Sequence, residues 1–192
     1  VAVAERKHLG GSCVNFGCTP TKAVLASAKL VHQAKRATEF GLTIPTVEVD
    51  YSAVLERARR SAAESREGLK KTFNEGNPEL LEGHAKFVGR DSEHFKLEVN
   101  GKSITAKQVV INTGTRSNIP KIEGLEEIPF IHAGNWLDET TLPEHVVILG
   151  AGYIALEMSQ FYRRMGSRVT VIGDGSQVVG REDADVATAL QT

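Results

Sequence analysis

Both cysteines of the chain lie in one run, Gly10-Gly11-Ser12-Cys13-Val14-Asn15-Phe16-Gly17-Cys18-Thr19-Pro20-Thr21-Lys22, set against the start of a helix. Thr19 followed by Pro20 is a helix-start signal: a capping side chain, then a residue whose missing N–H is no loss in the first turn. The spacing predicts a helix running to Thr38 and ended by Phe40-Gly41. Cys18 then sits at a helix N-terminus. Unpaired N–H groups and the positive end of the dipole stabilise a thiolate there, lowering a cysteine pKa from about 8.5 toward neutrality. A straight helix separates residues five apart by roughly 7.5 Å along its axis, whereas a disulfide wants Cα atoms roughly 4.4–6.8 Å apart. If the two sulfurs are to meet, the segment must bend, and Gly17 supplies the backbone freedom. Gly10-Gly11 lets the preceding loop approach another group closely, such as a phosphate. Lys22 lies one helical turn after Cys18, on the same face.

Several uses of the thiols fit these residues. Two buried structural cysteines are the ordinary state of thiols inside cells. Zinc ligands sit about two to four residues apart and come in fours, and only His8 lies nearby, so no metal site is expected. A thioredoxin-like exchanger has about two residues between its cysteines, a spacing this run does not have.

The 192 residues suffice for one domain or parts of two, and 41% apolar with 24% charged residues is ordinary for a globular chain. Lys and Arg total 23 against 24 for Asp and Glu. No basic field invites nucleic acid, and no polybasic patch or long apolar run invites a membrane. The chain reads as cytoplasmic, with no signal peptide.

Val1-Ala2-Val3-Ala4-Glu5 reads as a strand ending in a carboxylate, the way the second strand of a Rossmann unit ends. The glycine turn of such a unit belongs about 20–30 residues upstream, so the chain reads as a piece of a longer protein. From Asp50 to about Gly76, helix formers dominate, with Asp50 or Ser52 as cap and Val54, Leu55, Ala58, Ala62 and Leu69 on one face. Leu80 to Val88, Phe95 to Val99 and Lys102 to Thr105 alternate apolar and polar residues around an Asn100-Gly101 turn, which predicts a three-stranded meander. Gln108 to Gly114 reads as an apolar strand entering a Thr-Gly turn whose N–H groups can meet a phosphate. Pro120, Gly124, Pro129 and Pro143 punctuate a connecting segment.

His145 to Glu157 reads as strand, glycine turn and helix, the helix opening at Ile154 and ending at Met165, with a second strand over Arg168 to Ile172. Gly150 makes the tight turn, Gly152 admits a pyrophosphate, and Ala155 permits close helix packing. The acid expected at the end of the second strand is replaced by Gly173, with Asp174 one place later. This leans to NAD, while Arg181 leaves NADP open. Fold class is therefore α/β: two Rossmann-like dinucleotide-binding units, both incomplete, with a small β-meander in the first. Residues 1–118 form part of a first domain, 119–142 a linker and 143–192 the start of a second.

The cysteine run closely resembles the redox-active disulfide motif of the pyridine nucleotide-disulfide oxidoreductases, which include dihydrolipoamide dehydrogenase, glutathione reductase and mercuric reductase. The resemblance covers nearly the whole chain. It implies an FAD-dependent oxidoreductase passing electrons between NAD(P)H and a small-molecule disulfide or metal-ion substrate through a Cys13–Cys18 disulfide. Cys13 would be the interchange thiol and Cys18 the charge-transfer thiol facing the flavin. Lys22 would lie beside the flavin N5 and pair with Glu157. The resemblance assigns Glu5, Gly10, Gly11, Ser12, His84, Ala85, Thr113 and Gly114 to FAD, Glu5 through the adenosine ribose and His84-Ala85 through the adenine. It assigns Gly150, Gly152, Tyr153, Ile154, Ala155 and Asp174 to NAD(P), with Tyr153 standing over the flavin. A homodimer is implied, with a His-Glu acid/base pair supplied by residues outside this chain. Ile111 to Arg116 and Gly180 to Asp183 look closest to the mercuric-reductase-like branch, with lipoamide or glutathione-type activity as the alternative. A non-catalytic dinucleotide-binding module is the rival from another class.

The resemblance also implies that this chain by itself lacks the first pyrophosphate turn for FAD and is inactive alone. Purified chain should be colourless. A yellow preparation carrying one FAD per chain would contradict this.

Overall fold

The computed structural model describes residues 1–76 and 78–191. Among the described residues, seven strands and five α-helices follow one another as β1 (Ala2–Glu5), α1 (Gly11–Asn15), α2 (Cys18–Lys35), α3 (Tyr51–Asn74), β2 (Glu79–Glu82), β3 (Ala85–Arg90), β4 (Phe95–Val99), β5 (Lys102–Ala106), β6 (His145–Leu149), α4 (Tyr153–Met165), β7 (Arg168–Ile172) and α5 (Ala184–Gln191). They form two compact units. One holds Val1–Pro20 and Arg60–Trp136, the other Thr21–Arg59 and the chain from Leu137 onward.

In the first unit β1 pairs in parallel with β2, Ala2 opposite Glu79 and Glu5 opposite Glu82. The meander β3-β4-β5 is antiparallel and closes on Asn100-Gly101. Both turn residues have positive φ, 49° and 78°, which is why the asparagine-glycine pair is used there. The Asn100 side-chain amide donates to the Glu82 carbonyl at 2.8 Å, and Lys102 meets Glu79 at 3.0 Å, so β2 is tied to the meander turn by side chains. Pro20, Ala62, Val99 and Trp136 are apolar residues buried in this unit.

The second unit contains a parallel βαβ element. β6 and β7 pair in register, His145 opposite Arg168 and Leu149 opposite Ile172, and α4 packs on both. Its core is Val24, Ala28, Leu55, Ala58, Phe161, Tyr162 and Met165. Tyr51 stacks on Phe161, with centroids 6.0 Å apart and planes 26° apart. Burial pushes the pKa of the Tyr51 and Tyr162 phenols above the ordinary tyrosine value, because the charged form loses its hydration. Asp50 caps α3 by accepting the Ala53 N–H at 2.9 Å, a contact of the kind worth about 1 kcal/mol.

Four sequence expectations need correction. The second helix starts at Cys18, not Pro20, and stops at Lys35, not Thr38. Arg36 leaves helical geometry (φ −104°, ψ 13°), a 3₁₀ turn follows over Ala37–Phe40, and Gly41 closes it at φ 74°. Leu80 to Val88 is not one strand. Gly83, at φ 149°, breaks it, so that β2 joins β1 while β3 starts the meander. A side chain at Gly83 would meet Asn100 at 2.7 Å. Gln108 to Gly114 forms no strand among the described residues. A wholly apolar strand is stabilised by neighbours on both edges and cover on both faces. This run has neither: Val110 and Ile111 are 88% and 71% exposed. The helix after the glycine turn opens at Tyr153, one residue before Ile154.

Candidate active site

The cysteine run folds as a short helix, a bend and the start of a longer helix. Gly10 precedes α1 in the left-handed region, φ 86°, where a side chain would strike Val14 at 2.6 Å. Its lack of a side chain therefore serves the chain's own packing. Gly11, at φ 58°, has open space around it. At the bend, the Ser12 carbonyl accepts both the Phe16 N–H (2.9 Å) and the Gly17 N–H (2.7 Å). A Cβ on Gly17 would lie 3.2 Å from that carbonyl oxygen and 3.4 Å from Cys13 Cα, so this position needs a glycine for close approach. The bend brings Cys13 and Cys18 to a Cα separation of 4.7 Å, and the two sulfurs are bonded. Both residues are exposed. Cys18 is the first residue of α2.

Three side chains that sequence reasoning missed hold this segment. Asn15, 3% exposed, donates through Nδ2 to the Leu9 (3.0 Å) and Gly11 (2.7 Å) carbonyls and accepts from Arg66 Nη1 at 2.8 Å. Trp136 Nε1 donates to the Phe16 carbonyl at 2.8 Å. A polar residue between Val14 and Phe16 was the one local signal available, whereas Arg66 and Trp136 come from far along the chain.

Lys22 continues along α2 and donates to Glu157 on α4, both within the second unit. The structure thus brings these two residues together. In this chain the two side chains are 61% and 34% exposed. Water screens such a pair, so it contributes well below the cost of breaking a buried one.

The second dinucleotide turn is well formed. Gly150 has φ 102°, and its N–H donates to the Ile172 carbonyl at 2.7 Å. Gly152 opens α4 with no side-chain cap, which leaves the first-turn N–H groups directed outward. A Cβ at Gly150 or Gly152 would meet nothing within 4 Å. Open backbone and free N–H groups at a helix start are what a pyrophosphate requires, so these residues fit an NAD(P) pyrophosphate. Tyr153 and Ile154 stand 72% and 58% exposed at the mouth of this turn. Ala155 is partly covered.

Gly173 explains why the expected acid is displaced. A side chain at that position would lie 2.9 Å from Ala151 Cβ in the glycine turn, so the first position free to carry a carboxylate is Asp174, which is exposed. Val179, also missed, donates its N–H to the Ala151 carbonyl at 2.8 Å while holding φ 45°, a costly conformation for a β-branched residue.

The other candidates are less concentrated. The Glu5 carboxylate accepts the Lys7 N–H at 2.8 Å, and the Glu5 carbonyl accepts the Gly83 N–H at 2.8 Å, which places the end of β1 beside the segment leading to His84 and Ala85. Ser12, His84 and Ala85 are exposed. A carboxylate with one oxygen engaged and the other open fits a ribose hydroxyl. Thr113 and Gly114 lie in the exposed irregular segment and share no hydrogen bond with Glu5, Gly10 or Gly11 among the described residues.

The first unit thus holds a bonded cysteine pair, and the second holds a glycine-turn βαβ element. The chain matches the model of the pyridine nucleotide-disulphide oxidoreductases over residues 1–192 and belongs to that family. It is 32% identical over 191 residues to mercuric reductase of Bacillus cereus, covering 99% of this chain and 30% of that protein. It is 35% identical over 186 residues to dihydrolipoyl dehydrogenase of Cupriavidus necator, covering 96% of this chain and 39% of that one. Among solved structures, the HOCl-induced flavoprotein disulfide reductase RclA of Escherichia coli superposes with a TM-score of 0.78 at 28% identity, over all of this chain and 40% of its own. LpdA of Mycobacterium tuberculosis shares the fold, with a TM-score of 0.84 at 23% identity, over 99% of this chain and 42% of its own. The chain thus spans well under half the length of these relatives.

The exposed Lys22–Glu157 pair yields a prediction. Glu157→Gln should lower the stability of the chain by no more than about 1 kcal/mol in denaturant unfolding, with the difference shrinking at high salt. A loss several times larger would show that the pair is buried in solution.

Proposed function

We propose that the protein containing this chain passes electron pairs from a reduced nicotinamide to a small-molecule disulfide or metal-ion substrate by way of FAD and the Cys13–Cys18 disulfide. The observation that carries the reading is the bonded, exposed cysteine pair at the start of α2, in a chain that also holds an open dinucleotide turn at Gly150 to Gly152. Bound FAD supplies the two-electron carrier that joins nicotinamide to disulfide.

The residues of this chain then act as follows. Gly150, Gly152 and the first-turn N–H groups of Tyr153, Ile154 and Ala155 bind the NAD(P) pyrophosphate, and Asp174 takes the adenosine ribose, which favours NAD. Glu5 binds the ribose of FAD, and Gly10, Gly11, Ser12, His84, Ala85, Thr113 and Gly114 line that cofactor by backbone. When the disulfide takes up two electrons and one proton, Cys18 is left as the thiolate, because the helix start favours its charge. Cys13 is left as the thiol and exchanges with substrate. On a disulfide substrate, Cys13 attacks one sulfur as the thiolate, expelling one substrate thiolate, which takes up the proton that Cys13 gave up. Cys18 then attacks Cys13 Sγ, expelling the second and restoring the Cys13–Cys18 bond. Lys22 and Glu157 orient each other beside the nicotinamide side of the flavin.

Residues 1–118 are assigned to an FAD domain and 143–192 to the start of an NAD(P) domain, joined by 119–142. The working protein is a cytoplasmic homodimer. Among the described residues no helix is long and apolar enough to cross a membrane. Likeness to dihydrolipoyl dehydrogenases supports a second reading, the same sequence of steps run in reverse to oxidise a dithiol.

Anaerobic titration of the full-length protein with NADH and with NADPH, followed by absorbance, tests the proposal. NADH should bleach the flavin and produce a long-wavelength absorbance that disappears in Cys18→Ser. An unchanged spectrum with either nucleotide, or an absorbance that survives in Cys18→Ser, contradicts it.

A further inference from the structure

We infer that Arg66, acting through Asn15, and Trp136, acting through the Phe16 carbonyl, are positioning residues that set the reduction potential of the Cys13–Cys18 pair. The inference rests on the proposed redox role of that pair and adds to it residues far away in sequence. Asn15 is buried between the two cysteines, and its amide is almost fully used. Its two donors hold the Leu9 and Gly11 carbonyls on the way into the loop, and its acceptor takes Arg66 Nη1 from α3. One residue on, the Phe16 carbonyl is held by the indole N–H of Trp136, itself 4% exposed. Both anchors grip the segment between the sulfurs, and Arg66 is bonded to Asn15, not to a sulfur.

The bond between the sulfurs and these hydrogen bonds demand the same bent backbone, with the Cα atoms 4.7 Å apart. Two constraints that select one conformation favour each other reciprocally. Removing the guanidinium weighs unequally on the two redox states. With the disulfide closed, the loop cannot relax, and Asn15 Oδ1 stays buried without its donor, a costly condition. With the disulfide open and Arg66 no longer holding Asn15, the loop can move outward and water can replace the lost donor. The oxidised state therefore loses more, and the potential becomes less negative.

The balanced reaction for the test is protein disulfide plus two glutathione thiols giving protein dithiol plus glutathione disulfide. The chain is equilibrated in glutathione buffers, and the two forms are counted after alkylation. Arg66→Met should lower the equilibrium constant for disulfide formation about tenfold, equivalent to about 30 mV. Arg66→Lys, which keeps a donor within reach of Asn15, should restore most of that loss. Trp136→Phe should shift the constant in the same direction as Arg66→Met, and it carries the test if Arg66→Met does not fold. A purely structural role would lower the melting temperature of both redox forms alike and leave the constant within about twofold of the unaltered chain, and that result overturns the inference. If the unaltered pair cannot be cycled at all, the redox reading of the preceding subsection fails instead.

Discussion

The side chain of Asn15 is the point on which the cysteine segment turns. An asparagine amide offers two donors and one carbonyl acceptor, and here both donors and the acceptor are engaged at a buried site. Buried polar groups of this kind specify one conformation, because any other leaves donors or acceptors unmet. The conformation specified is a reversal in which Ser12 O collects two N–H groups and Gly17 has no room for a side chain. From it follow the approach of the sulfurs and the placing of Cys18 on the first turn of α2. The chemistry proposed for the pair depends on a bend maintained from outside the pair.

The second dinucleotide turn is built on a comparable economy of space. Gly150 turns where other residues cannot, and Gly173 leaves room for Ala151. Val179 accepts an unfavourable φ to supply an N–H to the Ala151 carbonyl. A strained β-branched residue persists where surrounding contacts over-determine it, and the contact here is to the backbone that would hold a pyrophosphate. The displaced acid is thus a consequence of packing. A carboxylate at position 173 would have to displace Ala151, so Asp174 is the nearest one available for a ribose.

Local chemistry made much of this legible in advance. The βαβ element over His145 to Ile172, the Asp50 cap, the Asn100-Gly101 turn and the bend at Gly17 each follow from a short run of residues whose physics is self-contained. What escaped was decided at long range. Leu80 to Glu82 leads directly into the meander in sequence, yet it pairs with β1 in parallel, a choice set by Gly83 and by residues near the N-terminus. Gln108 to Gly114 has strand composition without a strand neighbour. Arg66 and Trp136 gave no sign of their partners, because the carbonyl and amide they meet lie far back along the chain. The Lys22–Glu157 contact was anticipated from the resemblance, but its exposure depends on what covers it, which composition does not encode.

If Asn15, Arg66 and Trp136 hold the bend, the loop keeps its shape whether or not the sulfurs are bonded. Amide hydrogen exchange of the chain, followed by NMR in the oxidised and reduced states, tests this most directly. The Gly17 backbone N–H and the Asn15 side-chain N–H protons should stay protected after reduction, with shift changes confined to the neighbourhood of Cys13 and Cys18. Loss of protection at Gly17 and Asn15 once the disulfide is opened would show that the bond makes the bend, and would contradict the account.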